Sequence, residues 1–288
     1  MGMLKHIRRK KMNRTKIILV GIFTCMSVYL FASAPPPLND QNGVRAGARM
    51  VEVEKLFNAV NAANEAARTI YTKRIVGVGL KIGFKYGEDW AEPNVEEGPL
   101  PALFLRLVAQ QLETKPPRLG LYLGSDEPIN KSNLFTGEQA KVFTTLKQTR
   151  APIFKQDEMI GYVAMYPDIA GAQPCVACHN DHLDSPKTDW ELNDVMGATT
   201  WTYPKGLIGS SEYLETLDAV FQSIEETYAL YLEKTESFQQ PIPITDEWPS
   251  KTNVVLPNAK IFMAEVRRAS AETILIQLAS NQPKEDVQ

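Results

Sequence analysis

Apolar side chains recur at helical spacing across residues 44–72, at Val53, Leu56, Phe57, Val60, Ala67, Ile70 and Tyr71, which predicts a long amphipathic helix. The glycine-punctuated stretch 75–84 reads as β-like, and residues 88–98 read as an acidic loop. Pro99-Leu100-Pro101 can open a second helix, since proline is tolerated in a first turn. Its apolar face is Leu103, Phe104, Leu107, Val108 and Leu112, and Pro116-Pro117 ends it. A strand over 118–124 and a helix over 137–149 follow. Residues 152–155 and 159–165, split by Gln156-Asp157-Glu158, read as a β-hairpin. Residues 195–203, rich in threonine and aromatics, read as a final strand, and the segment before them reads as irregular and turn-rich.

Beyond Pro204-Lys205-Gly206 the pattern is helical again. Leu214, Leu217, Phe221, Ile224, Tyr228 and Tyr231 mark a helix of about 25 residues, and a linker broken by Pro241, Pro243 and Pro249 leads to a last amphipathic helix over roughly 258–279. Charges at Glu225, Glu226, Glu265, Arg267 and Arg268 make both unsuitable for crossing a membrane. The predicted fold class is α+β: an antiparallel sheet flanked by helices, with a long N-terminal helix and a C-terminal helical extension over 207–288. No internal repeat is visible.

Charge changes the picture at the N-terminus. Lys5, Arg8, Arg9, Lys10, Lys11, Arg14 and Lys16 are seven of the chain's 31 basic residues, and no acidic one stands among them. The remainder holds 24 basic against 34 acidic side chains, a balance opposite to that of a nucleic-acid-binding domain. Residues 17–34 carry no charge, so residues 1–34 read as a signal peptide or an N-terminal membrane anchor. Ala32-Ser33-Ala34 offers a cleavage site, whereas Pro35-Pro36-Pro37 obstructs cutting there. Either way the body is exported: periplasmic and soluble after cleavage, or tethered to the inner membrane. Residues 35–43 read as a linker, and the domain proper as 44–206.

Of three cysteines, Cys25 lies in the apolar segment, which leaves Cys175 and Cys178 in the exported part. They stand in Cys175-Val176-Ala177-Cys178-His179, a run with a definite chemistry. Two thiols three apart can each add to a vinyl group of one haem, and the adjacent histidine supplies an axial nitrogen. Three other readings of the pair exist: a thioredoxin-type couple, a zinc site completed by His179 and His182, and a plain disulfide. The first lacks a strand-to-helix element ahead of Cys175, and the second crowds its ligands into eight residues. One covalent haem c is the expected cofactor. For the opposite face of the iron, His182 is too near His179, and Met50, Met159, Met165 and Met196 are the methionine candidates.

The ordered set of segments resembles the Tll0287-like (DUF3365) family of haem-binding, PAS-like periplasmic domains over residues 45–205. The carrying pieces are Gly98-Pro99-Leu100-Pro101-Ala102-Leu103-Phe104-Leu105-Arg106, the run from Arg118-Leu119-Gly120 to Pro128-Ile129-Asn130, and Tyr166-Pro167. Cys175-Val176-Ala177-Cys178-His179-Asn180 and Asp194-Val195-Met196-Gly197-Ala198 complete the set. The resemblance implies a five-stranded antiparallel PAS-like sheet with haem on the loop before its last strand. It makes Cys175 and Cys178 the thioether residues and His179 the proximal ligand. Some relatives take a distal cysteine or methionine from the first long helix. No cysteine stands there, so Met50 is the preferred sixth ligand.

Relatives are regarded as sensors of redox state or small gases. The first expectation is therefore a haem-based sensor or binding module, with a small gaseous ligand as partner and a homodimer as an assembly it allows. The alternative is a monohaem cytochrome that passes electrons to a redox partner protein in the periplasm. No second constellation of His, Ser or paired carboxylates accompanies the motif, so no enzymatic activity is expected.

Overall fold

One helix organises the molecule in the computed structural model, which describes residues 50–279. This helix, α1 (Val53–Ile70), buries Leu56, Phe57, Val60, Ala63, Ala67 and Ile70 at three- and four-residue spacing. The strand β1 (Met50–Glu52) precedes it. Residues 1–34 and 35–43, read above as leader and linker, lie outside the described residues.

The stretch read as β-like is helical. Tyr71–Val76 continues α1 as a π-turn, Gly77–Gly79 adds an α-turn and Leu80–Ile82 a 3-10 turn. Gly83, at φ 97°, then reverses the chain. Packing overrides the glycines here. The Tyr71 ring stacks on Phe104 with centroids 4.2 Å apart, and its hydroxyl donates to the Pro99 carbonyl at 2.7 Å. Ile75, one turn on, is fully buried.

The helix α2 (Pro101–Glu113) packs its Phe104, Leu105, Val108 and Leu112 face into the same core. Four strands then build one antiparallel sheet: β2 (Gly120–Gly124), β3 (Ile153–Asp157), β4 (Gly161–Ile169) and β5 (Val195–Tyr203), in the order β2-β5-β4-β3. The hairpin β3–β4 is present, with its turn at residues 158–160 and not at 156–158: Gln156 and Asp157 pair with Tyr162 and Gly161. The sheet has four strands and not five, because the fifth expected strand was the segment that extends α1.

Helix α1 covers one face of the sheet, meeting Leu121, Ala164, Tyr166 and Trp201. Tyr166 donates to Asn58 at 2.8 Å and the Trp201 indole to Asn61 at 3.1 Å. Helix α3 (Gly137–Thr149), as predicted, covers the other face with Phe143 and Leu146 against Met165 and Ala198. Covered on both sides, β5 is buried along nearly its whole length.

The helical extension is part of the same core. The strand β6 (Leu207–Gly209) pairs with β1, and α5 (Ser210–Glu236) and α6 (Ala259–Ala279) enclose α1 and α2. Tyr228 stacks on Phe262 at 4.1 Å, and Tyr231 meets Tyr71 edge-on at 6.2 Å. Residues on both sides of position 206 therefore share one hydrophobic cluster, and the boundary read there does not separate two cores. A short helix, α4 (Gln173–Asp181), stands between β4 and β5.

Within that core Asn64 is fully buried, and neither its amide nitrogen nor its oxygen has a hydrogen-bond partner. An orphaned buried polar group costs about 1–3 kcal/mol. Asn64→Leu, close in shape and apolar, is expected to raise stability by an amount of that order in chemical denaturation. A loss of stability would show that the amide serves a partner in solution.

Candidate functional site

The segment between β4 and β5 is not irregular throughout. Gln173–Asp181 forms a helix, α4, with Pro174 in its first turn, where a missing N–H costs nothing. Its only buried side chain is Val176, so no apolar stripe announces it in the sequence. Residues 175, 178 and 179 stand at i, i+3 and i+4, which puts Cys175, Cys178 and His179 on one side of the helix. Both cysteines are free thiols, Cys175 half-buried and Cys178 exposed.

Beneath α4 lies a small apolar cluster of Ala170, Val176, Trp190 and Met196, with Cys175 packed against it. A bulge delivers Met196 there: Asp168 pairs with Gly197 and Ile169 with Val195, so residue 196 is the extra one on β5. The Ser125 hydroxyl donates to the freed Met196 carbonyl at 2.6 Å.

The two thiols feel opposite surroundings. Burial pushes the Cys175 thiol up, against the pull of the Arg68 guanidinium. Burial pushes Cys178 up as well, and the carboxylates of Glu88 and Asp181 add to it. Burial lowers the His179 pKa, with His182 contributing, so the ring is held neutral, the form that binds a metal. Arg68 itself ion-pairs with Glu65 and Asp168, which ties the end of α1 to the end of β4.

These facts sort the alternative readings. Cys175 does sit in the first turn of a helix, contrary to the sequence reading, yet its thiolate is disfavoured, unlike that of a thioredoxin-type nucleophile. Among the described residues no group of three or more His, Cys, Asp or Glu side chains gathers to hold a metal ion, so Cys175, Cys178, His179 and His182 do not form a zinc cage. His182 turns instead towards Glu88, at 3.9 Å. What the arrangement can do is present two thiols and one neutral imidazole along one side of a short helix.

Met50 does not join them. It lies in β1 and not on the helix, is 54 % exposed, and pairs with Gly209. Arg68, close enough to Cys175 to act on its thiol, stands fifteen residues along α1 from Val53, roughly 22 Å at 1.5 Å per residue. Met50 is thus at the far end of α1 from the site, and its assignment as sixth ligand is corrected. Met159 is exposed at the hairpin tip, and Met165 is buried beneath α3. Only Met196 of the four methionines lies by α4, in the cluster against which Cys175 packs.

Several residues that shape the site were not singled out from the sequence: Arg68, Glu88, Asn180 and Trp190. Arg68 and Glu88 reach it only through the fold, and Trp190 follows no spacing rule. Asn180, directly after His179, was the one with a local signal.

No curated protein and no solved structure matches the chain. The Tll0287-like family does match, over residues 46–204, more than half of the 288 residues. The matched segment runs from just before β1 to just after β5 and includes all of α4, so this chain belongs to the Tll0287-like family.

Proposed function

We propose that the chain is an exported protein carrying one covalent haem c, and that it works as a haem-based sensor of redox state or a small gas. One observation carries the reading: Cys175, Cys178 and His179 share one side of α4, with both thiols free and the imidazole neutral. The residues present fit that group. Cys175 and Cys178 would hold the porphyrin by thioethers, and His179 would give the iron its Nε2 while Nδ1 stays buried. When bound, haem supplies an iron that changes oxidation state and takes a diatomic ligand. The chain's own part would be to hold Cys175 and the imidazole against the apolar cluster of Val176, Trp190 and Met196, which keeps water from that side. The sheet between α1 and α3 supports a PAS-like reading of the domain, and export rests on the charge pattern of residues 1–34.

A second reading, electron transfer in the periplasm, is favoured by the outer edge. Cys178 lies near the carboxylates of Glu88 and Asp181, and Leu183, just past the end of α4, is fully exposed. Negative charge beside an exposed thioether position suits a basic redox partner.

Maturation in a host able to attach c-type haem separates these. Pyridine haemochrome spectra are expected to show one thioether-linked haem per chain, and the ferrous protein is expected to bind CO. Absence of covalent haem would sink both readings. Haem that ignores CO would leave electron transfer standing and remove the sensor.

A further inference from the structure

Asn180 and Trp190 together decide what surrounds the inner nitrogen of His179. The Asn180 amide donates to the Trp190 carbonyl at 3.0 Å, and the Trp190 backbone N–H donates back to the Asn180 Oδ1 at 2.8 Å. This two-way clamp holds the Trp190 backbone against Asn180, and the indole, only 5 % exposed, lies beside the imidazole. The rings meet edge to face, with centroids 6.3 Å apart and planes at 86°. Ala170, Val176 and Met196 pack with the indole, whose own Nε1 is also buried without a partner and, as a donor only, offers Nδ1 no acceptor. Nδ1 of His179 is buried and has no hydrogen-bond partner.

That is unusual for a metal-binding histidine. Such a ring almost always donates its other N–H to a carboxylate, a carbonyl or water, which makes it a stronger donor to the metal. Losing such a partner typically costs about 10–100-fold in metal affinity. A histidine without one is a weak axial donor.

We propose that Trp190, held by Asn180, keeps Nδ1 of His179 from any acceptor, so that the axial bond yields when nitric oxide binds the opposite face of the haem. The inference rests on the haem reading above and names nitric oxide as the gas the site distinguishes. Nitric oxide puts electron density into the iron orbital that points at the trans ligand, whereas CO does not. An imidazole backed by an acceptor withstands that weakening better than an unbacked one. Trp190 is thus a positioning residue, acting through His179.

The test uses the full-length, haem-loaded protein. Thioether-linked haem is verified first by pyridine haemochrome. The ferrous protein is then titrated with NO and, separately, with CO, and coordination is read by electron paramagnetic resonance and absorption. Resonance Raman reads the iron–histidine stretch. The expected result is a five-coordinate nitrosyl and a six-coordinate CO complex. Trp190→Ala lets water reach Nδ1, so the stretch should rise, and the balance should move towards the nitrosyl that keeps His179 by about 10-fold or more. Trp190→Phe preserves the packing and should behave as the parent. A merely structural role for Trp190 would weaken the axial bond in Trp190→Ala, the opposite direction. If that variant does not fold, Asn180→Ala, which frees the Trp190 backbone and loosens the loop that carries the indole, carries the same expectation. A parent nitrosyl that retains His179 overturns the proposal while leaving the haem reading intact; absence of covalent haem overturns both.

Discussion

A chain ended at Gly206 is expected to lose cooperative folding, although the family match stops at residue 204. The reason is what α5 and α6 bury. Tyr213, Val220, Ile224, Tyr228 and Tyr231 from α5, with Phe262 and Val266 from α6, are at most 1 % exposed. They close over Leu56, Val60, Tyr71 and Phe104, residues that lie within the matched segment. Truncating one buried phenylalanine to alanine costs about 3–5 kcal/mol. A whole domain is stable by only about 5–15 kcal/mol. Removing seven such side chains at once, together with the β6 partner of β1, exceeds any margin the remainder can have. Phe262→Ala alone should cost about 3–5 kcal/mol, since its ring stacks on Tyr228 and meets Phe104 edge-on. Chemical denaturation of the point variant, and solubility and circular dichroism of the shortened chain, measure both. A shortened chain that unfolds in one sharp transition would show that the sheet and α1 form a sufficient core.

The same packing explains what could be read from the sequence. Helix 137–149 has its limits in the pattern because it lies on the surface of the sheet, where one face is apolar and local preference decides. The hairpin was legible for a similar reason, but its turn was placed two residues early, because Gln156 and Asp157 lie in the strand on its solvent-facing edge. Residues 75–84 were not legible. Their glycines and alternation point to a strand, but Tyr71 and Ile75 gain more by staying on the helical path that buries them beside Phe104. Met50 was misplaced because the helical spacing was extended back through a segment whose backbone is claimed by β6. At the candidate site, the Cys175-Val176-Ala177-Cys178-His179 run stood out by its spacing alone. The helix beneath them was not, because a nine-residue helix with one buried side chain carries no periodic signal. Trp190 was invisible for a different reason: it meets His179 through a loop, across eleven residues that no motif spans.

Removing the thiols in turn should dismantle the site in steps that follow the geometry of α4. Cys175→Ala and Cys178→Ala are each expected to keep haem attached through one thioether. The double variant should retain none after extraction into acidified organic solvent. The two single variants should differ. Cys175 packs against Val176, Trp190 and Met196, so its loss opens a gap under the ring and also lowers stability. Cys178 is exposed, and its loss should cost little beyond the bond. His179→Ala should leave both thioethers and the haem content unchanged while abolishing the axial nitrogen, which the ferrous absorption spectrum reports directly. His182→Ala, one step further along the chain, is the control. Its ring faces the Glu88 carboxylate at 3.9 Å, so its removal should leave the axial nitrogen in place. If instead His182→Ala removed the axial ligand and His179→Ala did not, the face of α4 that bears the two thiols could not be the one that holds the iron.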